Sequence, residues 1–599
     1  MLNFYSCSID DILMKRKSLR NKLSAADGLQ DLRVAVLGGT TTNEVVNLFE
    51  LLLLADGFRP VFHQSEYGRF YVDAVHDTQA LVDFKPNIVY VHTSCLNVQN
   101  MPPLNCTETD LPGYVEIETQ RFRDIWDSLE SKLGCQVIQN NFELGPHAML
   151  GNMDAVASGG QSRFIMELNV AFAKEAARRP KLLIQDLHGI SSRIGLNQWF
   201  DWDRYFSYKI LLTAEANLEL ARSLNSMVRA MYGRSRKVLV LDLDNTLWGG
   251  VIGDDGVDKI HIGRETPVAE AYTAFQEYCL SLRNRGVLLA VCSKNTESVA
   301  KTGFAHPSSI LKLEHISCFK ANWNPKHENI LEIAAELNLG VDSFVFVDDN
   351  PAEREIVRGQ VPSVAVPEVG NEVSRYAEII DQGRYFEPVS LSKEDLERAA
   401  LYANNSQRAA QQNKFANYGE YLDSLEMVAE IDSFKPVYLD RIAQLTNKTN
   451  QFNLTTKRYS LADMELAANK PDYVGLYGKL LDRFGDNGLI SIVLGRRTES
   501  DLHMDLWLMS CRVLKRDMEL AMLDVLVQRA RAVGIQRIFG YYLPTSKNSM
   551  VAEFYSTLGF ESVHGKEAGL PEGSTVWQLA VNTYTDRSTH IKITEFSNG

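Results

Sequence analysis

Residues 236–250, RKVLVLDLDNTLWGG, carry the reading from which the rest of the chain follows. Val238–Leu241 is an unbroken apolar run, the pattern of a strand buried on both faces in a parallel sheet. It ends on Asp242 and Asp244, two carboxylates at i and i+2. In a loop, strict alternation is lost, so both can turn toward one ligand. Phosphoryl transfer needs such a pair: one carboxylate attacks phosphorus, the other shuttles a proton, and Mg²⁺ offsets the clustered charge. Working outward, VLLAVCSK (287–294) and DSFVFVDD (342–349) read as further buried strands, with helical patterns at about 268–285 and 327–338. The alternation predicts a doubly wound parallel sheet with its ligand at the strand C-termini. Ser293, Lys326 in NWNPKHENI and Asp348-Asp349 fall where that chemistry needs them.

The order DxDxT, then Ser, then Lys, then DD resembles the haloacid dehalogenase (HAD) superfamily over about 236–370. The resemblance implies Asp242 as nucleophile and Asp244 as general acid/base. It implies a phosphate-binding set of Ser293, Lys326, Thr246 and Asn295, and Mg²⁺ held by Asp242, Asp244 (through its carbonyl), Asp348 and Asp349. Segments 247–292 and 294–325 are filled by the sheet's own connections and leave no room for a large cap. Only the short hairpin WGGVIGDDG remains, with Trp248 either touching substrate or packing in the turn. An uncapped site suggests a substrate delivered by a protein, or one covered by a neighbouring domain.

The chain has 599 residues, which suggests about four domains. Hydrophobic residues make up 45% and charged residues 23%, a globular composition that excludes collagen-like, disordered and disulfide-stapled classes. Acidic residues outnumber basic ones, 76 to 62, for a net charge of −14. With no basic block, that field argues against nucleic acid and anionic membrane. The cysteines (7, 95, 106, 135, 279, 292, 318 and 511) form no CxxC pair, and free thiols on an acidic chain fit a reducing cytoplasm. The N-terminus lacks the apolar core of a signal peptide, and the longest apolar run, near Val45–Ala55, carries Glu50 and is too short to span a bilayer.

Upstream, RVAVLGGTTTNEVV (33–46) reads as strand, Gly/Thr turn and helix, with more buried strands at 87–94 and 181–187. With QDLHGISSRIGLNQWFDWDRYF (185–206) it loosely resembles an SGNH-hydrolase-like domain. The turn, however, is Gly39-Thr40-Thr41 without serine, and Asp186-Leu187-His188 lacks the required spacing. A non-catalytic docking surface or lid is expected, a threonine nucleophile being the alternative. Asp186, His188, Asp201 and Asp203 are read as structural.

Downstream, several antiparallel strands precede a strand–helix unit, an α+β pattern. This segment resembles the GNAT acyltransferase fold, with a strand leading to Met509-Ser510-Cys511-Arg512-Val513-Leu514. Lys515 and Asp517 stand where acetyltransferases place two glycines that cradle pyrophosphate, which argues against ordinary acetyl-CoA binding. Together, LDLDNTLWGGVIGDDG, VCSKN, NWNPKHENI, FVDDNPAEREIVR, QLTNKTNQFNLTTKRYS and LMSCRV resemble the FkbH-like glyceryl transferase/phosphatases of polyketide-type pathways. That resemblance implies capture of 1,3-bisphosphoglycerate as an enzyme thioester, removal of the remaining phosphate, and transfer of the glyceryl unit to an acyl carrier protein. Thiolate attack on an acyl phosphate needs a cysteine; Cys511 at the strand end is the candidate, and Cys292 is the rival, which strand alternation points to the opposite face. Arg512, Lys515, Asn450, Asn453 and Asn548 are candidate acyl- or carrier-binding residues, the asparagines alternatively forming turns and caps. His503 is read as structural rather than as a base.

The expected organisation is an SGNH-like α/β domain with its connecting helix over 1–230, a HAD-like domain over 231–385, a helical connector over 386–425 and a GNAT-like α+β domain over 426–599. The competing function is a plain Mg²⁺-dependent phosphatase with two interaction domains.

Overall fold

Runs of buried β-branched and leucine residues set the strands of this protein. The computed structural model describes residues 8–594, apart from 399–400, 403–407, 409–410, 412–414, 416, 450, 460, 511–512, 546 and 564–569. The chain forms two compact units, Met1–Arg229 and Ala230–Gly599.

In the first unit, β1 (Gln30–Gly38), β2 (Phe58–Gln64), β3 (Ile88–His92), β4 (Gln136–Asn140) and β5 (Leu182–Gln185) form a parallel sheet in the order β2-β1-β3-β4-β5. Val34–Leu37 are fully buried, as the sequence requires of a central strand. Asp186 and Asp201, two of the residues read as structural, cap helices. Asp186 accepts the N–H of Gly189 at 3.1 Å, and Asp201 that of Arg204 at 3.0 Å. Thr41 donates its hydroxyl to the carbonyl of Tyr208 at 2.9 Å.

The second unit holds two sheets. The first is parallel, β6 (Val238–Leu241), β7 (Leu288–Ser293), β8 (Ile316–Ala321) and β9 (Phe344–Val347), in the order β8-β7-β6-β9. Strand alternation divides its core. Leu239, Leu241, Leu289, Val291, Val345 and Val347 pack on one face with Phe275 and Cys279. Val238, Val240, Leu288, Ala290, Cys292, Phe344 and Phe346 pack on the other, with Ile330, Ile333 and Leu337 of helix Lys326–Leu337. Pairing of Leu241 with both Val291 and Val347 sets the height of everything that follows those strands.

The other sheet is mixed. It contains β10 (Met427–Ser433), β11 (Tyr473–Asp482), β12 (Gly485–Thr498), β13 (Asp501–Met509), β14 (Arg537–Tyr542), β15 (Glu561–Ser562), β16 (Thr575–Ala580) and β17 (Ile591–Thr594), in the order β15-β16-β14-β13-β12-β11-β10-β17. β10 to β13 are antiparallel neighbours, and helix Met518–Ala532 buries Ala521, Met522 and Leu526 in their core. β13 and β14 pair in parallel only over 501–503 and 537–539. Beyond that point the chain fills the gap itself. Met509 N–H donates to the Phe452 carbonyl (3.1 Å), Leu454 N–H to the Trp507 carbonyl (3.1 Å), and Leu543 N–H to the Leu454 carbonyl (2.9 Å).

Part of the expected connector lies outside the described residues. Its start shows the capping signal read from Ser392 and Asp395: Asp395 N–H donates to Ser392 Oγ at 3.1 Å, and Ser392 N–H donates back to Asp395 at 3.3 Å. Among the described residues, no helix is long and apolar enough to cross a membrane.

Candidate active site

The register that pairs Leu241 with Val347 makes the residues after them, Asp242 and Asp348, neighbours at the carboxyl edge of the parallel sheet. Both are buried. Lys326, first residue of its helix and 3% exposed, puts its Nζ 3.0 Å from Asp242 Oδ2 and 2.6 Å from Asp348 Oδ2. Burial opposes the ammonium charge, but Asp242 and Asp348 outweigh it and hold Lys326 above the ordinary lysine range. Asp348 is pushed up to about 6, by burial first and then by Asp242. Asp349 is raised for the same two reasons.

Oxygens of Asp242, Asp348 and Asp349 lie within 4.8 Å of one another, a group able to hold a metal ion. Asp242 Oδ1 is buried with no hydrogen-bond partner. Three carboxylates against one ammonium leave excess negative charge, and an orphaned buried acceptor marks where a cation fits. An all-oxygen donor set suits a hard ion such as Mg²⁺.

Asp244 is built differently. Its Oδ1 accepts Trp248 Nε1–H at 2.9 Å and the N–H of Ile252 at 3.1 Å, and its Oδ2 accepts Asn295 Nδ2–H at 3.0 Å. Its side chain is thus committed away from the metal cluster, which leaves its carbonyl as the only group it can offer an ion. Burial raises its pKa, with the hydrogen bonds from Ile252 and Trp248 pulling it back. Asn245, between the carboxylates, is left-handed (φ 54°) and accepts the Gly250 N–H at 3.0 Å, so the short amide side chain closes the hairpin.

Trp248 takes the packed-turn role of the two open to it: it is fully buried, edge-on to Phe304 and over Gly303. Asn295, expected to bind phosphate, gives its amide to Asp244. Thr246 likewise spends its hydroxyl on Asp349, accepting its N–H at 3.2 Å and facing its Oδ1 at 3.4 Å. Both therefore position carboxylates. Ser293 ends β7, buried, and its carbonyl accepts the Asn322 N–H at 3.2 Å.

Sequence reasoning missed Arg354. It is buried, and its Nη1 donates to the carbonyls of Asp348 (2.8 Å) and Asp349 (2.7 Å), while its other arm pairs with Glu368. The signal was an arginine one helical turn into the helix that Asn350 caps. Asn322 and Asn329 were also missed. Their amides donate to each other (3.1 and 2.9 Å) and brace the loop before Lys326, which leaves Trp323 74% exposed.

Of the acyl-transfer candidates, Cys511, Arg512 and Asn450 lie outside the described residues. Lys515 (φ 63°) and Asp517 (φ 60°) both hold the left-handed conformation that favours glycine, at a cost of about 1–2 kcal/mol each. Lys515 is exposed, and its carbonyl accepts the Tyr418 hydroxyl. Asn453 and Asn548 are clips. Asn548 Nδ2 donates to the carbonyls of Asn453 (3.0 Å) and Leu543 (2.9 Å), and its Oδ1 accepts the Thr545 N–H at 2.7 Å. Asn453 Oδ1 accepts the Thr456 N–H at 2.8 Å. That is the turn-and-cap alternative. Cys292 is fully buried beneath helix Lys326–Leu337, and burial pushes its thiol far up, so it offers no nucleophile. His503 stacks on Phe539 and hydrogen-bonds the Tyr541 hydroxyl at 2.7 Å.

No family model matches the chain, and no curated protein matches it. Among solved structures, the ribosomal-protein-S18-alanine N-acetyltransferase of Escherichia coli is 11% identical, with a TM-score of 0.21, over 27% of this chain and 99% of that chain. A GNAT-family acetyltransferase of Streptococcus pneumoniae is 15% identical, with a TM-score of 0.21, over 25% of this chain and 98% of that chain. The N-terminal part of the protein BF1531 from Bacteroides fragilis, containing a phosphatase domain complexed with Mg, is 31% identical, with a TM-score of 0.58, over 63% of this chain and 99% of that chain. At that identity across nearly the whole relative, and with the acidic cluster in place, this chain belongs to the BF1531 family of phosphatase-domain proteins.

Proposed function

We propose that this protein is a Mg²⁺-dependent glyceryl transferase/phosphatase that takes 1,3-bisphosphoglycerate and loads a glyceryl unit onto an acyl carrier protein. The observation that carries the phosphatase half is Lys326 held between Asp242 and Asp348, beside an oxygen of Asp242 with no hydrogen-bond partner. Asp242 is held in place by its ion pair with Lys326, from which it attacks phosphorus. Asp244, its proton affinity raised by burial, donates to the leaving oxygen and then takes a proton from the attacking water. Lys326 and Ser293 hold phosphoryl oxygens, while Arg354 keeps the Asp348-Asp349 backbone in place. Asp242, Asp348 and Asp349 would hold Mg²⁺, which when bound would neutralise charge at the site.

The acyl half rests on the FkbH-like sequence resemblance, with Cys511 as the thiol and a cytoplasmic setting. A second reading, a phosphatase with two interaction domains, is favoured by one observation: Phe452–Leu454 fills the gap between β13 and β14, where an extended ligand would otherwise pair. The two readings separate when the protein, Mg²⁺, 1,3-bisphosphoglycerate and a carrier protein are incubated and both proteins are weighed. A glyceryl adduct on the carrier, lost in Cys511→Ala, supports the first. Phosphate release with no loading supports the second.

A further inference from the structure

Trp323 is exposed where an indole gives the fold nothing. Of the seven tryptophans, the other six are buried or half-buried, while Trp323 is 74% exposed. A packed aromatic side chain removes about 150–250 Å² from water and dominates the core it joins. Trp323 forgoes that gain, yet the loop that carries it is tied down. Asn322 N–H donates to the Ser293 carbonyl at 3.2 Å, and Asn324 N–H donates to Asn322 Oδ1 at 2.9 Å. The amides of Asn322 and Asn329 bond each other, and Asn329 is fully buried. The indole is thus held out on a fixed base. Exposed aromatics on loops anchored to a rigid scaffold are typical binding elements.

Its place is the rim of the carboxylate site. Ala321, which ends β8, pairs with Ser293, which ends β7, and Trp323 stands two residues beyond Ala321. Three residues further on, Lys326 sends its ammonium between Asp242 and Asp348. The Cα atoms of Trp323 and Lys326 are therefore at most about 11 Å apart. Asp244, which serves the leaving oxygen, is bonded to Asn295 in the loop after β7, and β8 is the next strand outward. A phosphate over Asp242 with its ester oxygen at Asp244 points its organic group toward the loops after β7 and β8. The mixed sheet meets the parallel one elsewhere. Lys547, in the loop after β14, pairs with Asp342, just before β9. Gly233, ahead of β6, faces the Asn447 carbonyl so closely that a Cβ would stand 2.3 Å from it. Both contacts lie at the amino edge, opposite the carboxylates.

We propose that Trp323 selects the substrate of the carboxylate site by stacking on the group beyond the phosphate ester, favouring a phosphorylated acyl thioester over the same molecule with a free carboxylate. This rests on the glyceryl-transfer reading, in which a phosphoglyceryl thioester is what loses its phosphate. Five bonds separate phosphorus from sulfur in such a thioester, a reach of about 7 Å, so the sulfur stands well outside the carboxylates. The face of an indole is the negative side of its quadrupole. It attracts a neutral, polarisable thioester, whereas a carboxylate is repelled and also loses water against it. The lysines beside these loops already have carboxylate partners: Lys294 pairs with Glu353 at 2.6 Å, Lys320 with Glu332 and Glu336 at 3.3 Å each, and Lys326 with Asp242 and Asp348. Hydrolysis is thereby directed to acyl groups already activated as thioesters.

The test uses the full-length protein with Mg²⁺ and two probes, the N-acetylcysteamine thioester of 3-phosphoglycerate and 3-phosphoglycerate itself. Phosphate release by the wild type is expected to favour the thioester by at least about tenfold in kcat/KM. Trp323→Ala should raise KM for the thioester about tenfold with kcat within about twofold, and Trp323→Phe should recover most of that loss, because a second aromatic face replaces the first. In the Asp242→Asn protein, bound thioester should shield the exposed indole from iodide quenching, and 3-phosphoglycerate at the same concentration should not. A wild type without preference overturns the proposal, as does a Trp323→Ala protein that changes both probes alike or changes kcat alone. Iodide quenching unaltered by the thioester overturns it as well, whichever way the kinetics fall. A wild type that releases phosphate from neither probe overturns the phosphatase reading itself, and this proposal with it.

Discussion

Lys326 shows how much one side chain can hold in place. It separates two buried carboxylates whose registered strands force them together. Without it, Asp242 and Asp348 face each other uncompensated, and breaking a buried pair in this way costs about 3–5 kcal/mol. Lys326→Met is therefore expected to lower stability by that order in chelator and to abolish phosphate release, with Mg²⁺ restoring part of the stability; urea unfolding with and without Mg²⁺ checks it. A variant as stable as wild type in chelator contradicts the pairing. The first unit offers a pH test. Burial pushes Glu143 up to about 7 and His92 down to about 4. The glutamic acid stabilises the fold at low pH, and that contribution is lost as pH rises from 4.5 through 7. The neutral histidine stabilises it above 6.5, and that contribution is lost as pH falls toward 4. In the shared window the two slopes oppose. Glu143→Gln removes one of them, so the variant should gain about 3 kcal/mol relative to wild type between pH 4.5 and 7. Parallel denaturation midpoints across that range would rule this out. The motif carboxylates and Lys326 were legible from order along the chain alone. The commitments of Thr246 and Asn295 to neighbouring carboxylates were not, because a hydroxyl or amide beside a phosphate site suits either role until its partner is seen.

At the scale of elements, the asparagine clip is the clearest case of polar residues doing structural duty. Asn548 ties the carbonyl of Asn453 to the end of β14, and Asn453 turns the chain that fills the gap beside β13. Each alanine substitution leaves buried backbone groups unpaired, at about 1–3 kcal/mol. The Asn548 amide bonds the main-chain carbonyl of Asn453, so the two residues are in direct contact and the double variant should depart from the sum. Hydrogen exchange at the amides of Leu454 and Met509 should accelerate in both single variants, and unchanged exchange would contradict the clip. β6 and β9 were readable because Val238–Leu241 and Phe344–Val347 are fully buried and carry only apolar residues. β2 and β8 escaped the reading because they are edge strands whose sequences, FRPVFHQ and ISCFKA, mix polar with apolar residues. β4 escaped for another reason: its Gln139 and Asn140 are buried but satisfied by Thr93 and Tyr90, a network no periodicity reveals.

At the scale of the molecule, the second unit carries its acidic site at one edge of the parallel sheet and its junction with the mixed sheet at the other. The sequence could announce both ends but not their separation, which depends on which strand termini the mixed sheet packs against. The chemistry assigned to this arrangement starts from Asp242 and a metal-dependent carboxylate cluster. The most direct measurement is phosphate release from a phosphomonoester by the wild-type protein and by Asp242→Asn, each with Mg²⁺ and with chelator. The expected result is release by the wild type with Mg²⁺ alone, with Asp242→Asn lowering it by at least about 10³-fold while keeping the fold, because an amide cannot attack phosphorus. Release by Asp242→Asn at the wild-type rate, or by the wild type in chelator, would contradict the assignment.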